Sequence, residues 1–173
     1  AECAAGGARI VVRANAARLG IDPNRIVSCG GSCGGHLAAS VGVLDEFDAP
    51  GDDVRFSAKP NAMMLHFPLL DFLEGGTRTT PFLDALDGDK VLGERLSPSR
   101  HWHKDLPPTL VLIGTKDPTF EFVKGFAAKW QDAGADLALY IGEGGGHGFS
   151  TTDAWRERSL ARMEEFLRKT ACF

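Results

Sequence analysis

Ser32 stands in Gly30-Gly31-Ser32-Cys33-Gly34-Gly35, between a short β-branched apolar run (25–29) and a small-residue run (36–44). A G-x-S-x-G pattern between strand and helix reads as a nucleophile elbow. The turn is so sharp that the serine is strained and its hydroxyl stands exposed above the sheet. Side chains at Gly30 and Gly34 are expected to collide with the flanking elements. The elbow sets Ser32 at a helix N-terminus, where free N–H groups and the helix dipole favour negative charge. The Cys33 N–H is therefore placed to hold the oxyanion of a tetrahedral intermediate. A serine hydroxyl is a poor nucleophile at neutral pH and needs a base. His147, among Gly144, Gly145, Gly146 and Gly148, is the candidate, since an imidazole takes and releases a proton near pH 7. The glycines are expected to leave its loop free to bend the ring toward Ser32. Asp117, in Gly114-Thr115-Lys116-Asp117, is the candidate that fixes the imidazole tautomer and stabilises the imidazolium.

Other residues compete for these roles. His36 lies one helical turn past Ser32 and reads as structural. His66 lies inside a predicted strand and reads as a core or sheet-face residue. Asp71 and Glu143 are alternative acids near strand ends, but Asp117 directly follows the stronger strand. Cys29 and Cys33, in C-x3-C spacing, read as small buried thiols rather than a metal or redox pair. His101 and His103 form H-x-H without a third ligand nearby and read as surface or pocket-wall residues.

A sheet must bring these groups together. Residues 2–19 read as a helix ended by Gly20, and 21–24 as a turn. Parallel-type strands are expected at 25–29, 62–67, 109–114 and 137–141, each apolar enough to lie between helix layers. Helices are expected at 120–133 and 153–168, the latter capped by Asp153. Residues 45–60 read as an acidic loop. Residues 68–103, with short helices near 82–86 and 90–96, read as a lid or pocket wall. The fold class is α/β, a three-layer α/β/α arrangement on a mainly parallel sheet. Ser32, Asp117 and His147 each fall just past a separate strand, where sites of open α/β sheets form.

The chain has 173 residues, 43% hydrophobic and 24% charged, with a formal net charge of −4. That is ordinary globular composition, suited to one domain over 1–173. The mild acidity and the lack of a basic patch argue against a nucleic-acid partner. No apolar run approaches membrane-spanning length. Four scattered cysteines make no disulfide framework.

The segments Leu19-Gly20-Ile21-Asp22-Pro23-Asn24-Arg25-Ile26, Gly30–Ala38, Leu106–Leu110, Gly114–Asp117 and Gly146–Phe149 resemble the esterase/lipase branch of the α/β-hydrolase superfamily. That branch holds the acetyl-esterase, hormone-sensitive-lipase-like and feruloyl-esterase-like groups. The resemblance implies hydrolysis of carboxylic esters through an acyl-serine, without cofactor or metal. The substrate it suggests is a small acyl ester, including acetyl groups on carbohydrate. Ser32, Asp117 and His147 follow the chain order of the family triad. Cys33 stands where the family usually has alanine. The family's His-Gly-Gly-Gly type loop, which supplies further oxyanion donors, has no counterpart here. The chain thus resembles the C-terminal portion of such a hydrolase, without its N-terminal strands. An exposed edge at Ile26–Cys29 is then expected, with self-association or dimerisation through it. The alternatives are a prolyl-oligopeptidase-type serine peptidase and a non-catalytic fragment whose oxyanion hole is incomplete.

Overall fold

The computed structural model describes residues 10–44, 53, 55–74, 79–103, 105–170 and 172. Its centre is a parallel sheet of four strands in sequential order: β1 (Val27–Gly31), β2 (Ala62–His66), β3 (Thr109–Gly114) and β4 (Leu137–Gly142). β3 is buried at all six positions and β2 at four of five. This explains why both read as continuous apolar runs rather than alternating ones. Parallel neighbours need crossover connections. Here α2 (Cys33–Val43), which follows α1 (Ala16–Leu19), packs on β1 and β2. α3 (Thr80–Asp84) and α4 (Lys90–Arg95) lie in the long β2–β3 connection. α5 (Phe120–Asp132) packs on β3 and β4, and α6 (Asp153–Lys169) on β3, completing three layers.

α2 approaches the sheet closely because its side chains are small. Ala38, Ala39, Ser40 and Gly42 are all buried. A Cβ at Gly42 would overlap the Met63 sulfur. The main core joins Ala38, Ala39 and Val43 to Met63, Leu65, Val111, Leu112, Ile113, Val123, Ala127 and Trp130. A smaller cluster of Leu69, Phe72 and Leu96 lies within the 68–103 segment.

Several expected boundaries shift. The first helix is broken at Asn15 into 10–14 and α1, and Gly20 closes it with a left-handed φ of 67°. Residues 2–9 and most of the 45–60 loop lie outside the described residues. β1 starts two residues later than expected and runs up to the elbow, so α2 begins at Cys33 itself. α6 starts after Thr152, and Asp153 is its first residue rather than its cap. Among the described residues, β1 pairs only with β2 and β4 only with β3. No helix among them is long and apolar enough to cross a membrane.

Candidate active site

The elbow forms because β1 and α2 meet with almost no connecting chain. Ser32 is the single residue between them, at φ 55° and ψ −119°. A non-glycine residue holds such a conformation only where its surroundings over-determine it. The Ser32 N–H donates to the His66 carbonyl at 3.0 Å, and the Ser32 carbonyl accepts from the His36 and Leu69 N–H groups at 3.0 and 3.3 Å. Gly30 is required by space, since a Cβ there would overlap the Gly34 carbonyl. The expectation for Gly34 is corrected: a Cβ there meets nothing. The tight position is Gly35, where a Cβ would lie 3.0 Å from the Pro68 backbone.

Three strand ends converge. Asp117 follows β3 and is 4% exposed. Its Oδ1 accepts the Thr119 N–H at 2.9 Å and the Thr119 hydroxyl at 2.8 Å. Its Oδ2 stands 2.6 Å from His147 Nδ1. The other imidazole nitrogen, Nε2, stands 2.9 Å from Ser32 Oγ. A proton on Nδ1 satisfies Asp117 and leaves Nε2 with a lone pair facing the hydroxyl. The His147 side chain is 27% exposed, so the path opens to solvent at its serine end. A Cys33 N–H has no carbonyl to bond within its own helix, because the first turn never does.

The His147 loop is pinned rather than free to bend, as the glycines alone suggested. Lys116 N–H donates to the Gly145 carbonyl at 2.8 Å, and a Cβ at Gly145 would press on Phe149. Gly148, at φ 83°, makes the left-handed turn that a side chain would resist.

The competing residues are placed elsewhere. His36 is buried, bonded to the Leu69 carbonyl (3.2 Å) and Ser40 Oγ (3.3 Å). Asp71 is buried against Ser99 and Arg100. Glu143 accepts a long 3.4 Å bond from Thr115. His66 Nδ1 bonds Ser150 Oγ at 2.8 Å, and burial lowers its pKa below the ordinary histidine value. The expectation of buried thiols is corrected: Cys29 and Cys33 are both exposed. Among the described residues, Cys29 lies on a strand paired on one side only, and Cys33 lines the cleft beside Ser32. Among the described residues no three His, Cys, Asp or Glu side chains are placed to hold a metal ion.

Sequence reading missed Thr119, whose two donors fill one Asp117 oxygen. The Asp-x-Thr spacing is the signal of such a local turn. It also missed Phe67, at φ 36°, whose ring meets His147 edge-on at 4.9 Å. Nothing in the sequence marks that contact. A cleft beside Ser32 is lined by Cys33, Phe67, Pro68, Leu69, Phe82, Thr119 and His147.

A parallel sheet with a strained serine elbow and a serine–histidine–aspartate path at its strand ends defines the α/β-hydrolase class. Residues 4–151 match the family described as alpha/beta hydrolase fold, and the chain belongs to that family. Esterase LipQ of Mycobacterium tuberculosis is 32% identical over 90% of this chain. An esterase of Acinetobacter venetianus is 25% identical over 85%. The chain spans 40% and 53% of those two proteins. Esterase 2 of Thermogutta terrifontis, phosphonylated by sarin, superposes with a TM-score of 0.88 at 32% identity, covering 97% of this chain and 65% of that one. Its propionate-bound form gives 0.84 at 33% identity, covering 97% and 64%.

Proposed function

We propose that the protein is a serine carboxylesterase with Ser32 as nucleophile, His147 as general base and then acid, and Asp117 as its orienting partner. One observation carries the reading: three separate strand ends deliver a continuous path, 2.6 Å from Asp117 to His147 and 2.9 Å on to Ser32. His147 Nε2 takes the Ser32 proton as Oγ attacks the ester carbonyl. The tetrahedral oxyanion is held by the Cys33 N–H at the start of α2. His147 then gives the proton to the leaving alcohol, and water repeats the sequence on the acyl-serine. Asp117, with one oxygen already filled by Thr119, offers the other to Nδ1–H and so steadies the imidazolium.

The cleft supports a short acyl group. Phe67, Pro68, Leu69 and Phe82 make its walls apolar, and its volume is about 170 Å³, below the roughly 300 Å³ at which ligand pockets commonly start. The 68–103 segment supplies three of those four walls, in keeping with a pocket-shaping role. The propionate- and butyrate-bound forms of the Thermogutta esterase support the same size class. Its adducts with organophosphates support an activated serine. The relatives are esterases, which gives the peptidase alternative no support. Self-association through the β1 edge at Ile26–Cys29 remains part of this reading, and sedimentation of the purified chain as a monomer would remove it.

Hydrolysis of p-nitrophenyl butyrate, beside Ser32→Ala, tests the activity. Turnover should vanish in the variant, and a fluorophosphonate should label Ser32. No turnover above Ser32→Ala and no label would mean that the path is assembled without function in this chain.

A further inference from the structure

The tip of β2 touches both ends of the serine–histidine pair. Phe67 adopts a φ of 36°, which bulky residues rarely hold without constraint. Its N–H donates to the Leu112 carbonyl at 2.6 Å. Its ring stands edge-on to His147 and close enough to Gly31 that a Cβ there would come within 2.8 Å. His66, the residue before it, has two separate ties. Its carbonyl accepts the Ser32 N–H at 3.0 Å. Its imidazole Nδ1 is hydrogen-bonded at 2.8 Å to Ser150 Oγ. Ser150 is buried, 6% exposed, and lies three residues past His147. His66 takes no part in the Asp117–His147–Ser32 path, yet it holds the backbone at one end and the loop at the other.

Gly146 and Gly148 flank His147, so the place of this loop depends on its ties to the surroundings, of which the Lys116 N–H to Gly145 carbonyl bond is one. The bond from Ser150, in the short helical turn Phe149–Thr151 that follows, to His66 is a second tie, and it joins the loop to β2. We propose that His66 is a positioning residue: its bond to Ser150 fixes the loop that presents His147, keeping Nε2 on Ser32 and Nδ1 on Asp117. A loop displaced by about 1 Å can cost on the order of 100-fold in rate. The kinetic consequence rests on the esterase reading, whereas the placement of His147 is open to measurement without turnover.

The deciding measurement is the low-field proton resonance of His147 Nδ1–H bonded to Asp117, in the unaltered chain, Ser150→Ala, His66→Leu and His66→Asn. The asparagine amide reaches roughly the position of Nδ1 and keeps a partner for Ser150. The resonance should be sharp in the unaltered chain and in His66→Asn, and broadened or lost in Ser150→Ala and His66→Leu. With p-nitrophenyl butyrate, kcat should fall about tenfold or more in those two, with KM little changed, and recover in His66→Asn. Ser150→Ala removes a single oxygen, so it decides the matter if a His66 substitution unfolds the chain. Equal resonances in all four proteins overturn the proposal, as does the lack of the resonance in the unaltered chain. Resonances that change as expected in a protein without turnover uphold the positioning and count against the esterase reading alone.

Discussion

Two buried aspartates follow neighbouring strands, and they end in opposite situations. Asp71, past β2, is 2% exposed, and Asp117, past β3, is 4% exposed. Each has an oxygen filled by local donors: Leu73 and Glu74 N–H for Asp71, the Thr119 N–H and hydroxyl for Asp117. The difference lies at the other oxygen. Asp71 gives it to the Ser99 hydroxyl and to the Arg100 guanidinium at 2.9 Å. Arg100 also faces Glu74 and Glu94. A guanidinium carries only donors and holds its charge at any ordinary pH, so that cluster is closed. Asp117 gives its oxygen to an imidazole, whose second nitrogen can take up and release a proton. A buried carboxylate becomes part of a site when its partner can pass a proton on to a group that solvent reaches.

The sharpest way to break the contrast is to change each carboxylate to its amide. Asp117→Asn should lower kcat by about 10⁴-fold, because the amide favours the wrong imidazole tautomer, while leaving the melting temperature nearly in place. Asp71→Asn should do the reverse. Ester turnover by the folded enzyme should stay within about twofold. Breaking a fully buried pair costs about 3–5 kcal/mol, but Arg100 keeps 31% exposure and two further carboxylates, so a loss nearer 1–2 kcal/mol is expected. Denaturant melts and ester kinetics on both variants read this directly. A large kcat loss in Asp71→Asn with unchanged stability would erase the distinction.

Backbone space gives a second contrast, between two glycines of one motif. Gly30→Ala drives a Cβ into the Gly34 carbonyl. Overpacking of this kind costs about 1–3 kcal/mol, and the upper end applies because the obstacle is backbone. Gly34→Ala meets nothing and sits in a helical turn, where alanine is favoured over glycine by up to about 1 kcal/mol. It should be neutral or stabilising in a thermal melt. Equal losses in the two variants would show that the G-x-S-x-G pattern is needed for space at both ends.

The sequence made the strand ends legible because chemistry and punctuation coincide there. β3, at 109–114, was readable to the residue, since a six-residue apolar run set off by Pro107-Pro108 has one reading. The elbow was readable because glycines bracket a single serine between an apolar run and a small-residue run. Ser32, Asp117 and His147 were readable as candidates through their place after three such strands. What stayed hidden depends on pairs far apart in the chain. The bond between His66 and Ser150 spans 84 residues, and no local pattern encodes it. The exposure of Cys29 was misread because cysteine is usually buried, while the residue here lies on a strand that, among the described residues, has a neighbour on one side only. The role of Gly34 was misread because a motif records which glycines recur, not which of them touches something.

The smallest expected effect separates His66 from Asp71 by pH. Burial holds the His66 pKa below its ordinary value. The unfolded chain, with a histidine pKa of about 6.5, then binds a proton before the folded one does. Stability is therefore complete above about pH 6.5 and declines as pH falls through the window below it. For Asp71, burial acts to raise the pKa, but the Ser99, Arg100 and backbone hydrogen bonds outweigh it and the net direction is down. Its contribution is present above the unfolded value of about 3.9 and is lost only as pH falls below that. The two losses occupy separate windows. His66→Asn should flatten the decline that sets in below about pH 6.5 and leave the decline below pH 4. Asp71→Asn should do the opposite. A decline near pH 6 that survives in His66→Asn would mean that the ring is not held neutral by burial, and that the strand tip beside the serine is wetter than its packing indicates.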